Sequence, residues 1–199
     1  MNSRGFTIIE LVMVIVLIAI VLAVSVSLLS RGWSGMTITA MAKKLRSDTQ
    51  YAQEIAMIRR ASSSFSQPVR ARITFDVTNE TYNVKIVNDS DGDGKWGETS
   101  PVEWEYAKDP STGGNFTVTL NTGSYNGIVI GSASFSATGC TPSATTAILE
   151  FDAMGIPYCV DNTAGTSTKM DSQGSVVISK ASNTATVNVT QNTGRASIP

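Results

Sequence analysis

Between Phe6 and Leu29 every residue is apolar or small except Glu10, and the next charge is Arg31. A run of that length forms a helix long enough to cross a bilayer, and Leu11–Leu29 alone suffices at about 20 residues per crossing. An acidic side chain near the end of such a segment is costly unless paired, which marks Glu10 as a functional residue. A secretory signal would have a shorter apolar core followed by a small-residue cleavage site. Ala23-Val24-Ser25 offers such a site only inside the run. A plain signal anchor explains the length and leaves Glu10 unexplained.

The octet Gly5-Phe6-Thr7-Ile8-Ile9-Glu10-Leu11-Val12, preceded by Met1-Asn2-Ser3-Arg4, resembles the prepilin cleavage signature of type IV pilins and type II secretion pseudopilins. The resemblance implies cleavage between Gly5 and Phe6 by a membrane-embedded prepilin peptidase, which also methylates the new amine of Phe6. It implies that Glu10, fifth after the cut, pairs with the terminal amine of a neighbouring subunit during assembly. Opposite charges attract strongly in low dielectric, and each is costly there alone. The resemblance further implies a single-pass inner-membrane location with the head outside the cytoplasm, an assembly platform in that membrane, and incorporation into a filament with other pilin or pseudopilin subunits. A literal count of flanking cations points the other way, because Arg31, Lys43, Lys44 and Arg46 follow the span. Long domains, however, translocate largely regardless of such charge.

Beyond the span, Ile38, Met41, Ala42, Leu45, Thr49, Ala52 and Ala56 recur at helical spacing. Lys43, Lys44, Arg46, Ser47, Gln50, Gln53 and Glu54 occupy the other face. This pattern predicts an amphipathic helix packed on a sheet. Gly32 and Gly35 stand at the junction, where they can let the two halves bend or partly melt. If they stay helical, Phe6–Arg60 makes one rod of roughly 80 Å at about 1.5 Å per residue. After Ala61 the period becomes two. Val69, Ala71, Ile73 and Phe75 alternate with polar residues, as do Tyr82, Val84 and Ile86, with a turn over Asp76–Glu80. Further short strands are expected at Val102–Tyr106, Phe116–Leu120, Ile128–Ile130, Ala147–Phe151, Val176–Ile178 and Thr186–Val189.

The predicted class is therefore α+β, a long N-terminal helix packed on an antiparallel β head. Its expected divisions are a leader at 1–5, a membrane or filament-core helix at 6–30, the amphipathic half at 31–61 and the head at 62–199.

Composition narrows the chemistry. The chain has no histidine, which removes His-based triads and the commonest transition-metal ligand. We read it as a non-enzyme. Residues after Arg60 carry eight basic and thirteen acidic side chains, a balance of −5 that argues against nucleic-acid binding by the head. Cys140 and Cys159 are most simply a disulfide in an exported domain, with two buried thiols as the alternative.

Asp89, Asp91 and Asp93 followed by Gly94 match the opening half of a calcium loop, with Glu98 as a further candidate ligand. Position twelve is Ser100 and not the usual Glu, so the competing reading is a solvated Asp/Gly turn. Several Asn-x-Ser/Thr triplets read as chance.

Within the family, Leu45–Arg60, the Asp89–Glu98 turn before Trp104, Phe151-Asp152-Ala153-Met154-Gly155 and Asn192-Thr193-Gly194-Arg195-Ala196 resemble the minor H-type pseudopilins and related minor pilins. The resemblance implies a minor subunit, with a major pilin as the alternative. From another class, a single-span membrane-anchored binding protein with a calcium-stabilised β head is the competing reading.

Overall fold

The computed structural model describes residues 8–58, 70–88, 104–140, 142–162 and 165–199, with side chains of the long helix described at 8–22 and 38–58. That helix, α1, runs Ile8–Ile58, and its backbone is helical through Gly32 and Gly35. The chain divides into two units, Met1–Thr37 and Ile38–Pro199.

In the second unit the seven stripe residues of α1 are all buried: Ile38, Met41, Ala42, Leu45, Thr49, Ala52 and Ala56. Four small side chains among them (Ala42, Thr49, Ala52, Ala56) let the helix backbone approach the sheets closely. The hydroxyl of Thr49 donates to the Leu45 carbonyl one turn back, so it enters the core satisfied. The face read as polar is exposed or half-buried throughout.

Among the described residues eleven strands form two antiparallel sheets. In the larger, β1 (Ala71–Asp76), β2 (Thr81–Val87), β3 (Trp104–Tyr106), β6 (Thr146–Phe151), β7 (Pro157–Val160) and β8 (Ser167–Lys169) run in the order β3-β2-β1-β6-β7-β8, and β4 (Thr117–Thr119) also pairs with β2. In the smaller, β5 (Val129–Ser134), β9 (Gly174–Lys180), β10 (Asn183–Val189) and β11 (Ala196–Ser197) run in the order β11-β10-β9-β5. The alternation read from the sequence places Ala71, Ile73, Phe75, Tyr82, Val84 and Ile86 in one core with the helix, and Ala147, Leu149 and Phe151 of β6 join it. Phe75 stands 5.9 Å from Tyr82 and 5.7 Å from Phe135, tying β1 to the ring of a residue that follows β5. The expected β1–β2 hairpin forms in register Phe75↔Tyr82, and Asp76 accepts from both the backbone and the side chain of Asn79 in its turn.

Glu80 closes that turn at φ 54, and its carboxylate reaches the smaller sheet, where it accepts from the Ile130 backbone N–H at 2.5 Å. Next to it, β5 carries a register shift between Ile130 and Ser132. The Cys140–Cys159 pair is a disulfide, with Cα atoms 6.3 Å apart, and it joins the loop after β5 to β7.

Candidate functional site

The motif residues divide between described and undescribed parts of the chain. Gly5 and Phe6 lie outside the described residues, and so do Asp89, Asp91, Asp93 and Glu98 of the candidate calcium loop. Glu10 lies inside them, in the first turn of α1. Around it the side chains from Ile8 to Leu22 are all exposed, from 85 % at Ile8 to 47 % at Val14 among the large apolar ones. This stretch has no polar face: apolar residues cover the whole circumference, and Glu10 is its only charged residue. A helix apolar all round is the pattern of a segment that is buried by something other than its own domain.

Among the described residues no helix is long and apolar enough to cross a membrane. The apolar stretch with described side chains is Ile8–Leu22, fifteen residues, below the usual crossing length.

In the head, two buried polar groupings stand out. The first lies between α1 and β2. Asp48 sits on the buried stripe, three residues after Leu45 and four before Ala52, and its carboxylate accepts from the Tyr82 hydroxyl at 2.5 Å and from the Lys44 ammonium at 2.8 Å. Burial, and then the Asp48 charge, push the Tyr82 hydroxyl well above its ordinary range, so it stays protonated and donates.

The second lies across the larger sheet, where Lys169, Tyr158, Glu150, Arg72, Lys85 and Tyr106 stand opposite one another on successive strands. Glu150 is 1 % exposed, and it accepts from Arg70 (3.1 Å), Arg72 (2.5 Å) and Ser167 (2.5 Å). The arginines in turn lie over rings, Arg72 at 3.4 Å from the Trp104 centroid and Arg70 at 4.9 Å from that of Tyr158. Burial lowers the Arg72 pKa from its ordinary value while Glu150 opposes the shift. A buried carboxylate needs such partners, and Glu150 has three, while the Arg72 Nε is buried without a hydrogen-bond partner.

Among the described residues no three acidic or thiol side chains converge as metal ligands. Two depressions flank the helix. One, of about 580 Å³, is lined by Tyr51, Ile55, Ile58, Ile86, Tyr106 and Ala107 with polar residues at its rim. The other, of about 340 Å³, is polar and contains Lys44, Asp48, Glu54 and Asp109. The Asp109 carboxyl is held below its usual range, chiefly by the Ser111 backbone N–H.

Residues 1–26 match the family model of the prokaryotic N-terminal methylation motif. The match supports a type IV pilin-like or pseudopilin substrate of prepilin peptidase, a class of structural subunits. It covers Gly5, Phe6, Glu10 and most of the apolar run. No curated protein and no solved structure matches the chain.

The sequence reading missed Asp48 and Glu150 as buried ionic groups. Asp48 had a signal, since it falls on the apolar stripe; Glu150 had none beyond its place in an alternating strand. It also assigned Gln53 to the polar face, although its side chain bridges two turns of the head.

Proposed function

We propose that the chain is a structural subunit, minor in its filament, of a type IV pilus or a type II secretion pseudopilus. Prepilin peptidase cuts it between Gly5 and Phe6 and methylates the Phe6 amine. The helix at 6–30 holds it in the inner membrane with the head outside the cytoplasm. Assembly then draws the helix into the filament. Glu10 meets the terminal amine of a neighbouring subunit there, because an unpaired carboxylate in that surrounding carries a high desolvation cost.

The observation that supports this most is a coincidence at one end of the chain. The methylation motif spans the same residues whose helix exposes apolar side chains on every side around a single acid. The ionic groups of the head bind one another between helix and strands, which fits a structural part.

The mature N-terminus is the test. Intact-mass and N-terminal sequencing of chain expressed with its peptidase should find it beginning at a methylated Phe6. An uncleaved chain, or one cut near Ala23, would overturn the reading and favour a membrane-anchored binding protein. Glu10→Ala should be processed yet enter filaments poorly, as read by immunoblot of sheared filaments; normal incorporation would remove the pairing role.

A further inference from the structure

We propose that Gln53 is a latch that couples the last turns of α1 to both sheets at once, so that these turns and two distant hairpin turns open together as one unit. Its side-chain amide donates to the Gly155 carbonyl at 2.8 Å and to the Thr193 carbonyl at 2.6 Å. Gly155 ends the turn between β6 and β7 of the larger sheet, and Thr193 belongs to the turn between β10 and β11 of the smaller one. One amide group therefore joins the helix, the first sheet and the second. Both of its N–H donors are used, which no hydroxyl or carboxylate could reproduce.

The two turns are shaped to meet under it. Gly155 and Gly194 have φ of 76° and 63°, in the region that favours glycine. A Cβ at Gly194 would lie 2.6 Å from the Gly155 carbonyl oxygen, 2.7 Å from the Gln53 amide nitrogen and 2.8 Å from the Phe151 ring. A Cβ at Gly155 would lie 3.0 Å from both the Gln53 amide nitrogen and the Met57 sulfur. The turns thus touch each other and the helix with no room for a side chain.

Each turn is also stiffened from within. The Asp152 carboxylate accepts from the Met154 and Ile156 backbone N–H groups, both at 2.9 Å, and the Gly194 N–H donates to the Thr190 carbonyl at 2.8 Å. Stiff turns pass on a displacement of the amide instead of absorbing it. Because Tyr51, Ile55 and Ile58 of the same helical turns form one wall of the 580 Å³ depression, release of the latch also frees that wall.

Amide hydrogen exchange on the full-length chain in detergent tests this. In Gln53→Ala the amides of 52–58, 153–156 and 192–195 should exchange together about ten-fold faster, the scale set by losing a pair of hydrogen bonds. Ile73 in β1 and Leu149 in β6 should keep their protection. Gln53→Met, which keeps the length and apolar stem but has no donor, should give the same pattern and serves if the alanine variant does not fold. A rise confined to the helix or to one turn, a uniform rise that includes Ile73 and Leu149, or no change would each overturn the coupling.

Discussion

Ile8–Leu22 and Ile38–Ile58 belong to one helix, yet they bury their side chains by different rules. The first stretch exposes apolar groups on every side, and the second buries one stripe and offers charges on the other face. Helical propensity does not separate them, since both are assigned helix without interruption. What separates them is the partner each is built for. A stripe fits a folded sheet of fixed orientation, whereas an all-round apolar surface fits a surrounding with no preferred side. The unit boundary at Thr37/Ile38 separates the two stretches.

The largest expected effect contrasts two leucines. Leu45→Ala should lower head stability by about 2–5 kcal/mol, the range for a buried leucine. Leu17→Ala in the exposed stretch should change it by less than about 0.5 kcal/mol. Denaturant melts of both variants in the same detergent read the contrast, and equal effects would break the distinction between the halves. Next, reducing the Cys140–Cys159 bridge should cost about 3 kcal/mol in the chain-entropy model. That loss should appear in the head transition while the helical signal of the apolar stretch persists; a loss of both together would mean that the units are not independent.

The smallest effect concerns Tyr82. Its pKa is raised in the folded state, by burial first and by Asp48 second, so the associated stability is fully present below the ordinary value of 10.0 and is lost as pH rises above it. The wild-type head should therefore weaken above about pH 10, and Tyr82→Phe should flatten that decline. An unchanged alkaline limb in the variant would assign the decline to other groups. Because Tyr82 lies on β2 and Asp48 on the second stretch of α1, the loosening should appear in the head and leave Ile8–Leu22 unaffected.

Much of this architecture was legible because it follows from period. All seven stripe positions of the helix are buried, and the alternating residues of β1 and β2 point into the core as their spacing required. The strands that escaped are those whose identity comes from a partner. β7 begins with Pro157, β8 is the polar triplet Ser167-Thr168-Lys169, and β11 has two residues, so none carries a pattern of its own. β5 extends to Ser134, past the expected Ile130, because its pairing with β9 continues beyond the bulge.

The site divides in the same way. Glu10 stands out in the sequence because it is the single charge in an apolar run. Gln53 does not, since hydropathy assigns an amide to the surface and cannot foresee two carbonyls brought within its reach from residues 102 and 140 positions away. Legibility ended where long-range closure began.

The order in which the chain visits its two sheets bears on when the head can finish folding. β1–β4 lie in the larger sheet, β5 in the smaller, β6–β8 in the larger again, and β9–β11 in the smaller. A chain emerging from its N-terminal end therefore makes β5 long before β9 exists to pair with it. Until Gly174–Lys180 has emerged, β5 has no strand on either edge, and the smaller sheet cannot begin to assemble. Gly174–Lys180, late in the chain, thus sets the moment at which the smaller sheet can start to form.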